Sequence, residues 1–261
     1  MKKIPLQILV GLGLAASVSA QGAVVTVAGN ASTFNQTTGS IDLEAQANSV
    51  LLVAISAQSG SAPVLTLDPG GTADVFNTPT VSRLEGSSDM LTSIFMVDLG
   101  TPAAGTLDFS ANGMGGNQQI SAFQLYNAAL PEVETATAYT TDLTTGLTHD
   151  FTGLDAGSMV FAVAHSAQGQ SPNGISSANG SPSIAVSDFR DRSSFLKSTV
   201  GYAYTTNVSG NVTISLSGTD TTDQGTFSAV AIAPVPEPST YALLAGLAVM
   251  GLVMVRRRFR S

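Results

Sequence analysis

The sequence predicts an all-β fold of two tandem β-sandwich units, placed between an N-terminal signal peptide and a single C-terminal hydrophobic helix. Residues 21–233 consist of short runs in which apolar and polar residues alternate, separated by Gly, Ser, Asn and Pro clusters. Several sequence blocks in this region occur twice in the same order, about 105 to 110 residues apart. The 261-residue chain contains no Cys, so neither disulfides nor thiolate metal sites can contribute to its stability.

The first element is a secretory signal peptide, predicted for residues 1–20. Lys2 and Lys3 form a basic start, an apolar stretch follows, and small residues precede the predicted cleavage point between Ala20 and Gln21. Because the two lysines remain in the cytoplasm by the positive-inside rule, the residues after them are expected to be exported.

Short amphipathic strands fill the middle of the chain. In "GTLDFS", Leu107 and Phe109 lie on one face, and in "GNVTISLSG" the same holds for Val212 and Ile214. These patterns indicate half-buried strands of antiparallel sheets, with residues 21–130 as the first unit and residues 131–233 as the second. Units of this size are typical of immunoglobulin-like or jelly-roll sandwiches, and the sequence does not choose between the two.

The internal repeat is clearest in the long apolar strands. "SVLLVAISAQSGS" begins at Ser49 and "SMVFAVAHSAQGQS" begins at Ser158, and both contain the triplet Ser-Ala-Gln. Aligning the triplets places His165 where the first copy has Ile55, which predicts a structural histidine rather than a catalytic one. The excursions 59–90 and 169–195 are the predicted loops that would carry any function.

A short apolar segment near the C-terminus predicts a single membrane helix over residues 239–255. Its uninterrupted apolar part, residues 241–255, spans on the order of 22 Å as a helix, against about 30 Å for the hydrocarbon core. The basic end, residues 256–260, is expected to act as a cytoplasmic stop through Arg256, Arg257, Arg258 and Arg260. Two prolines flank Glu237, so residues 234–238 are predicted to form an extended, accessible strip outside the bilayer.

The last residues, 234–261, resemble a PEP-CTERM sorting signal. "VPEPSTYALLAGLAVMGLVMVRRRFRS" contains the Pro236-Glu237-Pro238 motif, one apolar span and a terminal arginine cluster in that order. The resemblance implies recognition by an exosortase, a membrane enzyme of Gram-negative bacteria, with Pro236, Glu237 and Pro238 as the recognition residues. It implies export across the inner membrane, transient anchoring by the C-terminal helix, and a final location at the cell surface or outside the cell.

The charge distribution argues against polyanionic partners. Between residues 21 and 235, 17 acidic residues accompany only four basic residues, which are Arg83, Arg190, Arg192 and Lys197. Such an acidic region argues against binding to nucleic acid or to anionic lipid.

Catalytic and cofactor-binding patterns are absent from the sequence, which predicts a protein that is not an enzyme and has no cofactor. The two histidines, His149 and His165, lie in no nucleophile or metal motif, and Ser171 lies in a turn-forming sequence with no base beside it. Weak Ca²⁺ binding by loop acids is a minor hypothesis, because turn carboxylates are typical ligands of such sites. The acids concerned are Asp68, Asp74, Asp188, Asp191, Asp220 and Asp223, although Arg190 and Arg192 are nearer partners for Asp188 and Asp191.

The leading functional hypothesis is a non-enzymatic surface or matrix protein with a structural or adhesive role in exopolysaccharide or biofilm. A carbohydrate-binding protein is the alternative, and a polysaccharide-acting enzyme that uses carboxylates is a third. The absence of Trp and the small number of loop aromatics, among them Phe76, Phe189 and Phe195, count against the carbohydrate-binding alternative.

Overall fold

The protein is described by a computed structural model. It describes residues 24–58, 61–68, 73–85, 90–113, 118–130, 134–167, 175–177, 186–191, 198–216 and 224–235, together with positions 246, 249 and 250. Residues 24–235 form one compact unit. Residues 1–23 and 236–261 form a second unit, of which only Gly246, Val249 and Met250 are described, and these three are helical. The predicted signal peptide and most of the predicted membrane helix therefore lie outside the described residues.

The compact unit is built from β-strands, which confirms the predicted all-β class. The strands of the first half are β1 (Thr26–Phe34), β2 (Thr38–Leu43), β3 (Ser49–Gln58), β4 (Val64–Asp68), β5 (Asp74–Phe76), β6 (Val81–Glu85), β7 (Met90–Gly100), β8 (Gly105–Asn112) and β9 (Gln119–Tyr126). Those of the second half are β10 (Glu134–Thr140), β11 (Leu147–Ala167), β12 (Ile175–Ser177), β13 (Val186–Asp191), β14 (Ser198–Leu216) and β15 (Gln224–Ile232). Within the described residues, a 3₁₀ turn at Leu143–Thr145 is the one helical element of this unit.

Two antiparallel sheets make up the first half. Their strand orders are β1-β9-β3-β7-β6 and β2-β8-β4-β5. Leu51, Val53 and Ile55 of β3 contribute to the core that also holds Leu107 and Phe109 of β8. The alternate residues of β3 pack on the opposite side of the sheet, so both faces of this strand are buried, which explains its continuous apolar run.

A single antiparallel sheet makes up the second half, with the strand order β10-β15-β11-β14-β12 and β13 beside β14. Strands β11 and β14 are long and their pairing register shifts between Phe151 and Val160. Gly153 and Gly157, both with positive φ, lie in this irregular stretch and allow β11 to bend. Side chains from both parts of β11, such as Phe151 and Val160, share one core cluster, so the bent sheet encloses its own core.

The two halves share a third core between them. It contains Leu52 and Phe123 from the first half and Phe161 and Tyr202 from the second. The Phe123 ring lies 5.1 Å from the Phe161 ring and 4.8 Å from the Tyr202 ring, both edge to face. Such buried aromatic pairs add about 0.5 to 1.5 kcal/mol beyond the area they bury. The halves are therefore joined by a packed apolar interface.

The same strand pairing order occurs in both halves. The order β1-β9-β3-β7-β6 corresponds to β10-β15-β11-β14-β13, and β2-β8-β4 corresponds to β11-β14-β12. In the structure, however, the equivalent positions of the two long strands differ by one residue from those obtained by aligning their Ser-Ala-Gln triplets. Ile55 points into the core of its own half, whereas His165 is on the face of Val163, toward the shared core. The predicted equivalence of His165 and Ile55 is therefore wrong, because a shift of one residue reverses the faces of a strand.

Candidate functional site

The sorting motif begins where the compact unit ends. Pro236, Glu237 and Pro238, the arginines Arg256, Arg257, Arg258 and Arg260, and the predicted cleavage point Ala20/Gln21 all lie outside the described residues. Among the residues that are described, no helix has the length and apolar character needed to span a membrane.

Two short segments next to this motif pair with each other, and we call them the C-terminal clasp: Asn127–Ala129 and Ala233–Val235. Ala128 bridges Pro234, the Ala129 N–H donates to the Ala233 carbonyl at 2.9 Å, and the Val235 N–H donates to the Asn127 carbonyl at 2.9 Å. Pro234 is buried. The predicted accessible strip over residues 234–238 is therefore wrong for Pro234, because this residue is part of the folded unit.

A groove of about 430 Å³ opens at the end of the first half where β7 turns into β8, and we call it the end groove. Leu67 and Leu107, both nearly buried, are among its apolar lining residues. Phe76 on β5 lines the groove together with Asp74 and Asp98, so an aromatic ring and two carboxyl groups share one concave surface. The size and the mixture of apolar lining with few polar groups are typical of small-molecule sites.

A second, more polar depression covers the outer face of the β2-β8-β4-β5 sheet. Asp108 on β8 is directly opposite both Ser40 on β2 and Asp68 on β4. Hydroxyl groups of Thr38, Thr66 and Ser110 surround this row. Like charges directly opposite each other on a sheet are unfavourable, so Asp68 and Asp108 oppose the pairing of their strands.

The acids of the Ca²⁺ hypothesis are spread over different places. Asp68 lies on the outer sheet face and Asp74 lines the end groove. The backbone of Asp188 and Asp191 belongs to β13, while Asp220 and Asp223 lie outside the described residues. Within the described part of the chain, no three His, Cys, Asp or Glu side chains gather in a way that would hold a metal ion.

The histidines occupy two different environments. His165 is buried in the shared core, and burial lowers the pKa of its imidazole to about 4, against a smaller opposing effect of a hydrogen bond with the Ala57 backbone. His149 is half-buried, with its Nε2 atom 3.2 Å from Oε1 of Glu134 and its ring against Phe151. His165 is thus neutral at physiological pH and enclosed, which suits a structural role. Ser171 lies outside the described residues.

Some residues of these surfaces were not identified from the sequence. Asp98, Thr106 and Asp108 are ordinary strand residues in the alternating pattern, and only the folded sheets bring them beside Asp74 or Asp68. No sequence motif marks them. Phe76, by contrast, is one of the aromatic residues that the sequence analysis predicts to lie in a loop, and the structure places it on β5 in the end groove. The backbone of Phe189 belongs to β13, and Phe195 lies outside the described residues.

Comparison with known proteins identifies the class of the C-terminal tail. Residues 234–258 match the family model of the PEP-CTERM protein-sorting motif. This match confirms the predicted resemblance, and the motif is the signal of exported proteins that exosortase sorts. The match begins at Pro234, so its first two residues belong to the C-terminal clasp.

Comparison of the whole chain gives matches of low similarity. No curated protein matches it. Oxalate decarboxylase from Bacillus subtilis at pH 4.6 is similar at 7% identity and a TM-score of 0.22, covering 88% of this chain and 83% of the enzyme. A substituted form of that enzyme gives 7% identity, a TM-score of 0.22, and coverages of 81% and 75%. TM-scores this low support no argument about fold or function.

Proposed function

We propose that this protein is an exported surface or matrix protein, sorted by exosortase, with a non-enzymatic structural or adhesive role in exopolysaccharide or biofilm. The observation that carries the proposal is the sorting motif at residues 234–258, directly attached to a compact β-unit. The acidic character of the unit suits an extracellular setting and opposes nucleic-acid binding. The inner membrane is a transient partner in this proposal.

We infer that each half is a jelly-roll sandwich rather than an immunoglobulin-like one. The order β1-β9-β3-β7 packed on β2-β8-β4-β5 supports this, because a jelly roll divides its eight strands between two sheets in such an interleaved order. The second half repeats this order within its bent sheet. Two sandwiches that share a core suit a structural module.

The sorting step is tested by the mass of the native protein. We expect the tail to be lost in wild-type cells and retained in cells lacking exosortase. Glu237→Gln keeps the shape of the motif but removes its charge, so it should leave the tail attached, whereas the exposed control Asp155→Asn should be processed normally. An intact tail in both kinds of cell would show a plain membrane anchor instead.

A second candidate function is binding of a carbohydrate, and the end groove favours it. The Phe76 ring offers an apolar face for a sugar ring, and Asp74 and Asp98 offer acceptors for hydroxyl groups. Because these carboxylates and the acidic unit repel anions, we expect a neutral glycan or an amino sugar rather than a uronic acid polymer.

Retardation in gels that contain a neutral glucan, chitosan or alginate tests this candidate. We expect Phe76→Ala to abolish retardation by the neutral or amino-sugar polymer, while Val75→Ala, the exposed neighbour on the same strand, retains it. Equal behaviour of the two variants would contradict binding in the groove. Release of reducing sugar that is lost in Asp74→Asn would instead indicate the third candidate, a polysaccharide-acting enzyme.

A further inference from the structure

We propose that the C-terminal clasp controls the access of exosortase to the sorting motif, so that processing requires the clasp to open. This inference rests on the proposed sorting by exosortase. Asn127, Ala128 and Ala129 are then positioning residues for the processing reaction, although they lie about a hundred positions before the motif in the sequence.

The motif and the folded unit overlap in the sequence. The family match starts at Pro234, which is buried, and it continues through Val235, whose N–H is bonded to the Asn127 carbonyl. Pro236 of the Pro-Glu-Pro motif is the next residue. No residue separates Val235, the last paired residue, from Pro236 in the sequence, so an enzyme that binds the motif together with the residue before it has to displace the clasp.

The two segments of the clasp pair with the regular geometry of antiparallel strands. Ala128 and Pro234 form a non-hydrogen-bonded pair of this antiparallel arrangement, because the hydrogen bonds connect the residues on either side of them. Their own N–H and C=O groups therefore point away from each other. Proline is tolerated at this position because its missing N–H would not have been used. Ala128 and Ile232 are both buried in the shared core, which holds the two segments in place.

Many proteins that recognise a peptide segment bind it as an added β-strand, with its backbone groups paired to the protein. In the closed clasp, the N–H of Val235 and the carbonyl of Ala233 already have partners. Opening the clasp breaks two backbone hydrogen bonds at the end of β15 and leaves the strand itself paired, so it is a local event rather than unfolding.

A reversible disulfide between the two segments of the clasp, which we call the lock, tests this proposal directly. The chain has no Cys, so Ala128→Cys combined with Pro234→Cys introduces one cysteine pair at facing positions whose Cβ atoms are typically about 4.5 to 5.5 Å apart. The full-length protein is oxidised with glutathione disulfide and incubated with exosortase-containing membranes, and loss of the tail is followed by mass. We expect the oxidised form to be processed at less than about a tenth of the rate of the same protein after reduction. Equal rates for the two forms would overturn the proposal.

Two controls make the outcomes distinguishable. Pro234→Cys alone shows the effect of losing the proline, and Glu237→Gln tests the motif itself. If membranes with and without exosortase leave the tail of the wild type equally intact, the proposed sorting fails; if processing depends on exosortase while the lock has no effect, only the clasp inference fails. If the cysteine pair does not oxidise, Ala129→Pro removes the N–H that bonds to Ala233 and should accelerate processing, with faster hydrogen exchange at the Val235 amide. An unchanged rate with faster exchange would equally overturn the inference.

Discussion

The two halves of the compact unit have the same strand order, but they differ at the corner, the place where the chain passes from one sheet layer to the other. In the first half, β2 and β3 are separate strands, and the side chain of Gln124 holds the connection between them. It accepts from the Glu44 N–H at 2.7 Å and donates to the Glu44 carbonyl at 2.7 Å and to Ser49 Oγ at 3.1 Å. In the second half, the corresponding strands are one continuous β11, and Ala231 pairs with Val160 as Gln124 pairs with Leu51.

This difference shows that a corner is formed either by a side chain that satisfies loop backbone groups or by glycines that let a strand bend. With Ala231 at the corresponding position, the second half has no such side chain there and uses Gly153 and Gly157 with positive φ. The two halves therefore have the same strand pairing although the chemistry of their corners differs. Four predictions test this comparison.

The largest effect is expected where the halves meet. Phe123→Ala removes a fully buried ring from the shared core, so we expect the free energy of unfolding to fall by about 4 kcal/mol. Because the core is shared, chemical denaturation should still show one transition, as it should for Phe109→Ala in the core of the first half. Separate transitions for the two halves would show that they fold independently.

His165 distinguishes the second half by a dependence of stability on pH. Its pKa is about 4 in the folded protein and 6.5 in the unfolded chain, so the unfolded chain binds the additional proton between these values. Stability is therefore lost as pH falls from 6.5 to 4, by up to about 3 kcal/mol from this group.

The variant His165→Gln should lack this part of the pH dependence. Denaturation of wild type and variant at several pH values from 7 to 4 measures the difference, and the carboxyl groups common to both cancel. Parallel curves for the two proteins would show that folding does not lower the pKa of His165.

Gln124→Leu tests the corner of the first half. The change keeps a similar volume but removes all three hydrogen bonds, so we expect a loss of about 2 kcal/mol in the free energy of unfolding. The exposed Gln36→Ala serves as a control and should stay within about 0.5 kcal/mol of the wild type. A loss no greater than that of the control would mean that water replaces the side chain in the corner.

Gly153→Ala tests the corner of the second half and has the smallest expected effect. Apart from Gly153 itself and its two chain neighbours, no atom lies within 4 Å of the added Cβ position, so only the positive φ of 67° opposes the change. We expect a loss of about 1 kcal/mol, measured by thermal unfolding. A stabilised variant would show that the bend of β11 does not depend on this conformation.

Much of this fold was predictable from local patterns, but the candidate surfaces were not. The alternation in "GTLDFS" predicted that Leu107 and Phe109 share a core, and the structure places both there. The repeated Ser-Ala-Gln triplet, however, aligned His165 with Ile55 and so reversed its face. In a sequence dominated by a few residue types, matching letters can align two strands one residue out of register. The face on which each side chain of the strand is buried depends on that register.

The all-β class and the sorting tail follow from the sequence alone, because a period of two and a terminal motif are local properties of the chain. Three other features emerge only when the chain folds: the two halves share a core, Phe76 and Asp98 line one groove, and Pro234 pairs with Ala128. These relations join residues far apart in the sequence, and they arise from how sheet faces pack, which no local pattern records.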